Sequence, residues 1–126
     1  MSRYTYLGPA GTFTEAALSP LLKSGDSAEP AANVTAALES VRRGSADYAL
    51  VPIENSVEGV VARTLDELAV GKPLMIIGET VLPVSFALMV KPGLSIKEIR
   101  RVATHPHAEA QCREYIASQL PRSEVV

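Results

Sequence analysis

An α/β fold with a mostly parallel sheet is what the sequence predicts, and three observations carry that expectation. Short β-branched or apolar runs alternate with segments whose apolar residues recur every three or four positions. Clusters of Gly, Pro and Asn punctuate the boundaries between them. Helix-capping residues stand where several helical segments open: Thr12 with Glu15, Asn33, and Ser95 with Glu98.

Residues 4–7 form a first strand that runs into a tight loop at Gly8, Pro9, Ala10 and Gly11. Thr12 and Glu15 make a capping box, with Ala16, Ala17, Leu18, Leu21 and Leu22 at helical spacing behind it. A polar stretch over 24–30 separates this helix from a second, capped by Asn33, with Val34, Ala37, Leu38 and Val41 on one face and Gly44 at its end. Residues 48–53 read as a buried strand and Glu54, Asn55 and Ser56 as the loop after it. Val57, Val60, Val61, Thr64, Leu65 and Leu68 then mark a third helix. Two strand-like runs follow at 74–77 and 81–90, the second edged or broken by Pro83. Ser95 and Glu98 open a short helix with Ile96 and Ile99, and 102–104 is a further strand end. His105-Pro106 forces an extended bend before a helix carrying Ala108, Cys112, Tyr115, Ile116 and Leu120. Residues 123–126 look like the start of another strand.

The chain has 126 residues, the size of one domain or of a piece of a larger one. Apolar residues make up 47% and charged residues 21%, a globular balance rather than a disordered one. The net charge of −2 supplies no basic field for a nucleic-acid backbone, so that partner is excluded. The lone Cys112 rules out an internal disulfide framework and fits a reducing compartment. Residues 1–7 lack an apolar core of signal-peptide length, and the longest apolar run, 81–90, is interrupted by Pro83 and Ser85. The expectation is a cytoplasmic protein with no membrane partner.

Three places combine a strand end, a loop and a helix start, where open α/β sheets bind ligands. The first is 8–14, where first-turn N–H groups and the hydroxyls of Thr12 and Thr14 would face an anion. No Lys follows the glycines, so this is not a Walker A loop, and a plain turn with a helix cap is the competing reading. The second is 52–56. Asn55 can hold a substrate oxygen through its NH₂ while Glu54 orients it or handles a proton. Alternatively Glu54 is a solvated loop charge and Asn55 or Ser56 only caps the next helix. The third is Thr104 and His105, with Gln111 near the start of the following helix. His105 and His107 lack a third ligand, so no metal is expected, and one of them is read as stacking or capping. Cys112 lies on an apolar stripe and reads as an inert buried thiol. The pairs Arg42-Arg43 and Arg100-Arg101 read as solvated, or as supplying one charge that screens an anionic substrate.

Three segments in register, YLGPAGTFTEAA at 6–17, DYALVPIENSVEGVV at 47–61 and THPHAEAQC at 104–112, resemble the successive signatures of prephenate dehydratases. The resemblance covers nearly the whole chain. It implies a catalytic domain folded like a type II periplasmic binding protein, with two α/β lobes and the substrate in the cleft between them. On that expectation 1–74 is most of the first lobe, 75–94 holds the strands crossing the hinge, and 95–126 starts the second. The implied reaction is decarboxylative dehydration of prephenate to phenylpyruvate, water and carbon dioxide in phenylalanine synthesis, a carbon–oxygen lyase activity driven by aromatisation, without a cofactor. Carried over by position, Glu54, Asn55, Thr104 and Gln111 are the catalytic residues, and Gly11, Thr12, Phe13, Ser56 and His105 bind substrate. The family's usual Ser is Thr104 here, which keeps the hydroxyl and adds a methyl group. The family's Thr-Arg-Phe segment, which supplies a catalytic Thr, and its ACT domain lie outside these 126 residues. The chain is therefore expected to be inactive alone and prone to self-association, with a homo-oligomer expected of the full-length protein. The rival reading is a non-catalytic carboxylate-binding module of the same fold.

Overall fold

The computed structural model describes residues 1–126, which divide into two compact units, Met1–Val84 and Ser85–Val126. In the first, strands β1 (Arg3–Leu7), β2 (Ser27–Ala31) and β3 (Tyr48–Leu50) form a parallel sheet in the order β2-β1-β3. Parallel neighbours need crossovers, and helices α1 (Phe13–Leu18) and α2 (Val34–Arg42) supply them. β1 is the centre of the sheet, paired to β2 from Arg3↔Ser27 to Leu7↔Ala31 and to β3 from Tyr4↔Tyr48 to Tyr6↔Leu50. Its Thr5 and Tyr6 are buried, and Leu18, Val34, Ala37, Leu38 and Ala46 complete the core around them. Each of the two leucines contributes about 2 kcal/mol by leaving water. After β3 the chain makes a two-stranded antiparallel hairpin, β4 (Glu54–Asn55) with β5 (Gly59–Val60), and then helix α3 (Ala62–Ala69), which packs on α2.

The second unit is a β-α-β arrangement. β6 (Arg101–Val102) pairs in parallel with β7 (Glu124–Val125), and α4 (Pro106–Gln119) makes the crossover. Ile99 and Leu120 are its buried residues. A single 3-10 turn, Ile96–Glu98, opens on the expected Ser95/Glu98 capping box, with both reciprocal bonds made.

Several expectations are corrected. The polar stretch 24–30 contains β2, because an edge strand needs only one set of ladder bonds and tolerates Pro30, which has no N–H to donate. The buried strand expected over 48–53 shrinks to three residues at the sheet's other edge, with Tyr48 exposed. The third helix starts at Ala62, because 54–60 form the hairpin instead of a loop and a helical turn. The expected strands over 75–94 do not form, and residues 73–91 belong to no helix or strand. Val81 and Met89 there are almost fully exposed. A β-prone sequence becomes a strand only when a neighbour takes its N–H and C=O groups, and no strand lies alongside this run.

Arg42, expected in solvent, is instead a buried cap, its side chain only 7% exposed. Its Nε donates to the carbonyl of Lys72 at 3.0 Å, and its Nη2 donates to those of Glu67 at 2.6 Å and Val70 at 3.1 Å. Its Nη1 donates to Glu39 Oε1 at 2.8 Å and lies 3.9 Å from Glu67 Oε2. The carbonyls left unpaired at the end of α3 thus find their donors on α2. Arg42→Ala is expected to destabilise the first unit by about 1–2 kcal/mol, since it leaves the carbonyls of Glu67, Val70 and Lys72 without this donor while the Glu67 carboxylate keeps Thr35 and Arg63. Urea unfolding checks this, and a loss below about 0.5 kcal/mol would show the cap to be dispensable.

At the start of β1, Asp47 receives the Arg3 guanidinium at 2.7 and 3.2 Å and the Arg3 backbone N–H at 2.8 Å. These donors hold its carboxyl down at about 2, against an ordinary value of 3.8. The folded state thus keeps the carboxylate ionised to lower pH than the unfolded chain does. The stabilisation is complete above pH 3.8 and is lost as the pH falls toward 2. The stability gap between wild type and Asp47→Asn should therefore be constant near neutrality and shrink across that window. A gap unchanged down to pH 2 would contradict the assignment.

Candidate functional site

The chain leaves β1 toward β2 and comes back to β3 on the other side of β1, so the strand order reverses at β1. Ligands of open α/β sheets bind outside the carboxyl ends of strands at such a reversal. Two of the three predicted segments lie there, because 8–13 follow β1 directly and 51–55 follow its neighbour β3.

The first loop is held by its own residues. A Cβ on Gly8 would stand 2.7 Å from the Pro30 Cβ and 3.0 Å from the Ala31 carbonyl oxygen, so only glycine lets this turn approach β2, where its N–H donates to Ala31 at 2.8 Å. Gly11 has φ +84°, a conformation that glycine adopts without strain. Thr12 caps α1 by accepting the Glu15 N–H at 3.5 Å and donates its hydroxyl to the Leu7 carbonyl at 3.2 Å. Glu15 departs from the expected capping box. Its carboxylate reaches past Thr12 to accept the Gly11 N–H and the Tyr6 hydroxyl, the latter at 3.0 Å. Burial pushes the Tyr6 phenol up, and the bond to Glu15 adds to the effect. The Thr12 hydroxyl, expected to face an anion, is therefore engaged within the loop, as is the Gly11 N–H before it.

In the second segment Glu54 is exposed on β4 and Asn55 is half-buried. Asn55 Oδ1 accepts the N–H groups of Val57 at 2.9 Å and Glu58 at 3.2 Å, closing the hairpin turn. That use of the oxygen leaves the NH₂ of the same amide as the group for a ligand. Ser56 is exposed at the tip of the turn. Two bonds tie this hairpin to α3: Val61 N–H donates to the Ile53 carbonyl at 2.9 Å, and the Thr64 hydroxyl donates to the Pro52 carbonyl at 2.6 Å. Thr64 is 1% exposed, and sequence reasoning placed it only on an apolar stripe. A hydroxyl within that stripe, one helix away from a polar strand end, was the available signal.

The third segment lies in the second unit. Thr104 follows β6, half-buried, its N–H donating to the Val126 carbonyl at 3.3 Å. His105 is the N-cap of α4, with Pro106 as the first helical residue. Its Nδ1 accepts the His107 N–H at 3.2 Å, and the two imidazoles stack at 5.1 Å, so His105 both caps and stacks. Gln111 lies one turn on and donates its Nε2 to the His107 carbonyl at 3.1 Å. Thr104, His105 and Gln111 therefore share the start of one helix. Cys112 beside them is half-buried rather than buried, and no cluster of metal-ligating side chains is present.

The parallel sheet of the first unit and the β-α-β arrangement of the second, each with polar side chains in the segments that follow its strands, define a class, that of α/β proteins. The comparisons with known proteins narrow it. The family model described as Prephenate dehydratase matches residues 4–126, and the chain belongs to that family. The prephenate dehydratase of Amycolatopsis methanolica is 50% identical over 126 residues, covering 100% of this chain and 41% of the relative. That of Mycobacteroides abscessus is 51% identical over 133 residues, covering 100% of this chain and 43% of the relative. The crystal structure of a prephenate dehydratase from Arthrobacter aurescens in complex with L-Phe superposes with a TM-score of 0.81 at 50% identity, covering 98% of this chain and 41% of that one. The chain thus spans about two fifths of the length of these relatives.

The Thr64 bond to Pro52 yields a direct test of how the hairpin is held. Thr64→Val keeps the side chain's shape but removes its only donor, leaving a covered carbonyl without a partner, and should cost about 1–2 kcal/mol. Amide exchange should quicken at Asn55 and Val60 more than in β1. Uniform exchange across both regions would mean that the bond does not anchor the hairpin.

Proposed function

We propose that this chain forms part of the catalytic domain of a prephenate dehydratase, the lyase that converts prephenate to phenylpyruvate, water and carbon dioxide in phenylalanine synthesis. Family membership over residues 4–126 supports the reading, together with the Asn55 amide, whose oxygen closes the hairpin turn and whose NH₂ is left for a ligand. The reaction needs little covalent assistance, because the product ring is aromatic. It needs a proton for the departing hydroxyl, an anchor for the side-chain carboxylate, and a poorly hydrated place for the carboxylate that leaves.

In this reading Asn55 and Gln111 donate to substrate oxygens, Thr104 adds a hydroxyl, and Glu54 orients or polarises that network. Gly11, Thr12, Phe13, Ser56 and His105 contact the substrate around them. The domain takes the type II periplasmic-binding-protein form, in which 1–74 belong to one lobe, 75–94 to the crossing between the lobes and 95–126 to the other lobe. The protein works in the cytoplasm, without a cofactor, and as a homo-oligomer. The Thr-Arg-Phe segment is not among these residues, so the 126-residue chain by itself turns over no prephenate.

The test uses two preparations, the 126-residue chain and the same chain extended through a Thr-Arg-Phe segment, each given prephenate while phenylpyruvate absorbance is followed. Activity is expected only from the extended form. There Asn55→Ala should lower kcat by about 100-fold to 1,000-fold, the worth of one oriented donor to the transition state, with an unchanged circular dichroism spectrum. Near-normal turnover in that variant would remove Asn55 from the chemistry. Binding of prephenate without turnover in the extended form would favour the carboxylate-binding module instead.

A further inference from the structure

Helix N-caps are usually Ser, Thr, Asp or Asn, which keep their acceptor oxygen at any ordinary pH. α4 is capped by an imidazole. His105 Nδ1 accepts the His107 backbone N–H at 3.2 Å, and the carbonyl of that same His107 accepts Gln111 Nε2 at 3.1 Å. One residue thus joins the cap to the amide of a candidate catalytic side chain. We propose that His105 is a positioning residue for Gln111, acting through the backbone of His107, and that it holds Gln111 only while its ring is neutral. The inference rests on the reading of Gln111 as a residue of the reaction.

An Nδ1 that accepts a hydrogen bond carries no proton, so the neutral ring keeps its proton on Nε2. Protonation places an N–H on Nδ1, facing the N–H of His107, and the cap becomes a donor–donor clash. The His107 ring is stacked on His105 with 14° between the planes. The charged groups around this turn are Glu109 within it and Arg101 and Glu124 on the β6–β7 ladder, which face each other at 4.0 Å. A protonated His105 ring has no acceptor for the His107 N–H, so it loosens the first turn of α4 and frees the Gln111 amide.

The experiment follows the Gln111 side-chain NH₂ resonances and the His107 amide exchange of the ¹⁵N-labelled 126-residue chain between pH 8 and pH 5. In the wild type, the Gln111 pair should move toward free-amide shifts on acidification. His107 exchange, corrected for its intrinsic rate, should quicken about fivefold, the worth of one cap. His105→Asn, which supplies an acceptor that does not titrate, should keep Gln111 held and flatten the profile. His105→Ala should leave Gln111 free at both ends of the range, with helix content checked by circular dichroism. His107→Ala keeps the backbone relay and should keep the pH response. Equal pH responses in wild type and His105→Asn would overturn the proposal, as would a His105→Ala chain whose Gln111 signals match wild type at pH 8. No turnover is measured, so failure here leaves the dehydratase reading standing, and failure of that reading leaves this relay intact.

Discussion

The guanidinium of Arg42 is the contact on which the layout of the first unit depends. It is a nearly buried charge, and such a charge is tolerated only when every donor is matched. Glu39, Glu67 and the carbonyls of Glu67, Val70 and Lys72 match it here. Thr35 completes the arrangement by donating its hydroxyl to Glu67 Oε1 at 2.6 Å. The result is that α3 cannot slide along α2 without breaking several charge-assisted bonds at once. From α3 the constraint passes to the Thr64 hydroxyl, from there to the Pro52 carbonyl, and so to the hairpin that carries Glu54 and Asn55. A residue on the far side of α2 from solvent thus sets where a candidate catalytic amide stands.

The other side of the candidate site in this unit is governed by β1. As the central strand it is paired on both edges, and its carboxyl end can turn only where Gly8 lets the backbone pass close to Pro30. Glu15 then closes the loop onto the Tyr6 hydroxyl and the Gly11 N–H. A loop tied down by its own polar groups is ordered before any ligand arrives, which reduces the entropy lost on binding. The same bonds use donors that an anion would otherwise take, so order and binding capacity trade against each other within five residues.

In the second unit one short β-α-β arrangement puts Thr104, His105 and Gln111 within two turns of each other, because β6 runs straight into the N-cap of α4. The apolar run at 73–91 shows the reverse situation. Its residues have the composition of strands and the exposure of a surface, since the pairing that turns propensity into structure is a property of two segments and not of one.

The sequence by itself determined the alternation of strands and helices, the caps at Thr12, Asn33 and Ser95, and the three segments that carry the family's signature. These are local matters: a cap, a turn or a 3.6-residue period is written in neighbours a few positions apart. Tertiary structure alone decided which strands found partners, so that 27–31 became an edge strand while the greasier 81–90 did not. It decided too that Arg42 is a buried cap while Arg43, beside it, is exposed, and that Glu15 bonds to Gly11 instead of Thr12. Each of these outcomes depends on groups that folding brings together from distant or geometrically inequivalent positions, such as Arg42 with Lys72 or Pro52 with Thr64. Spacing along the chain does not encode which carbonyl will lie 3 Å from which donor.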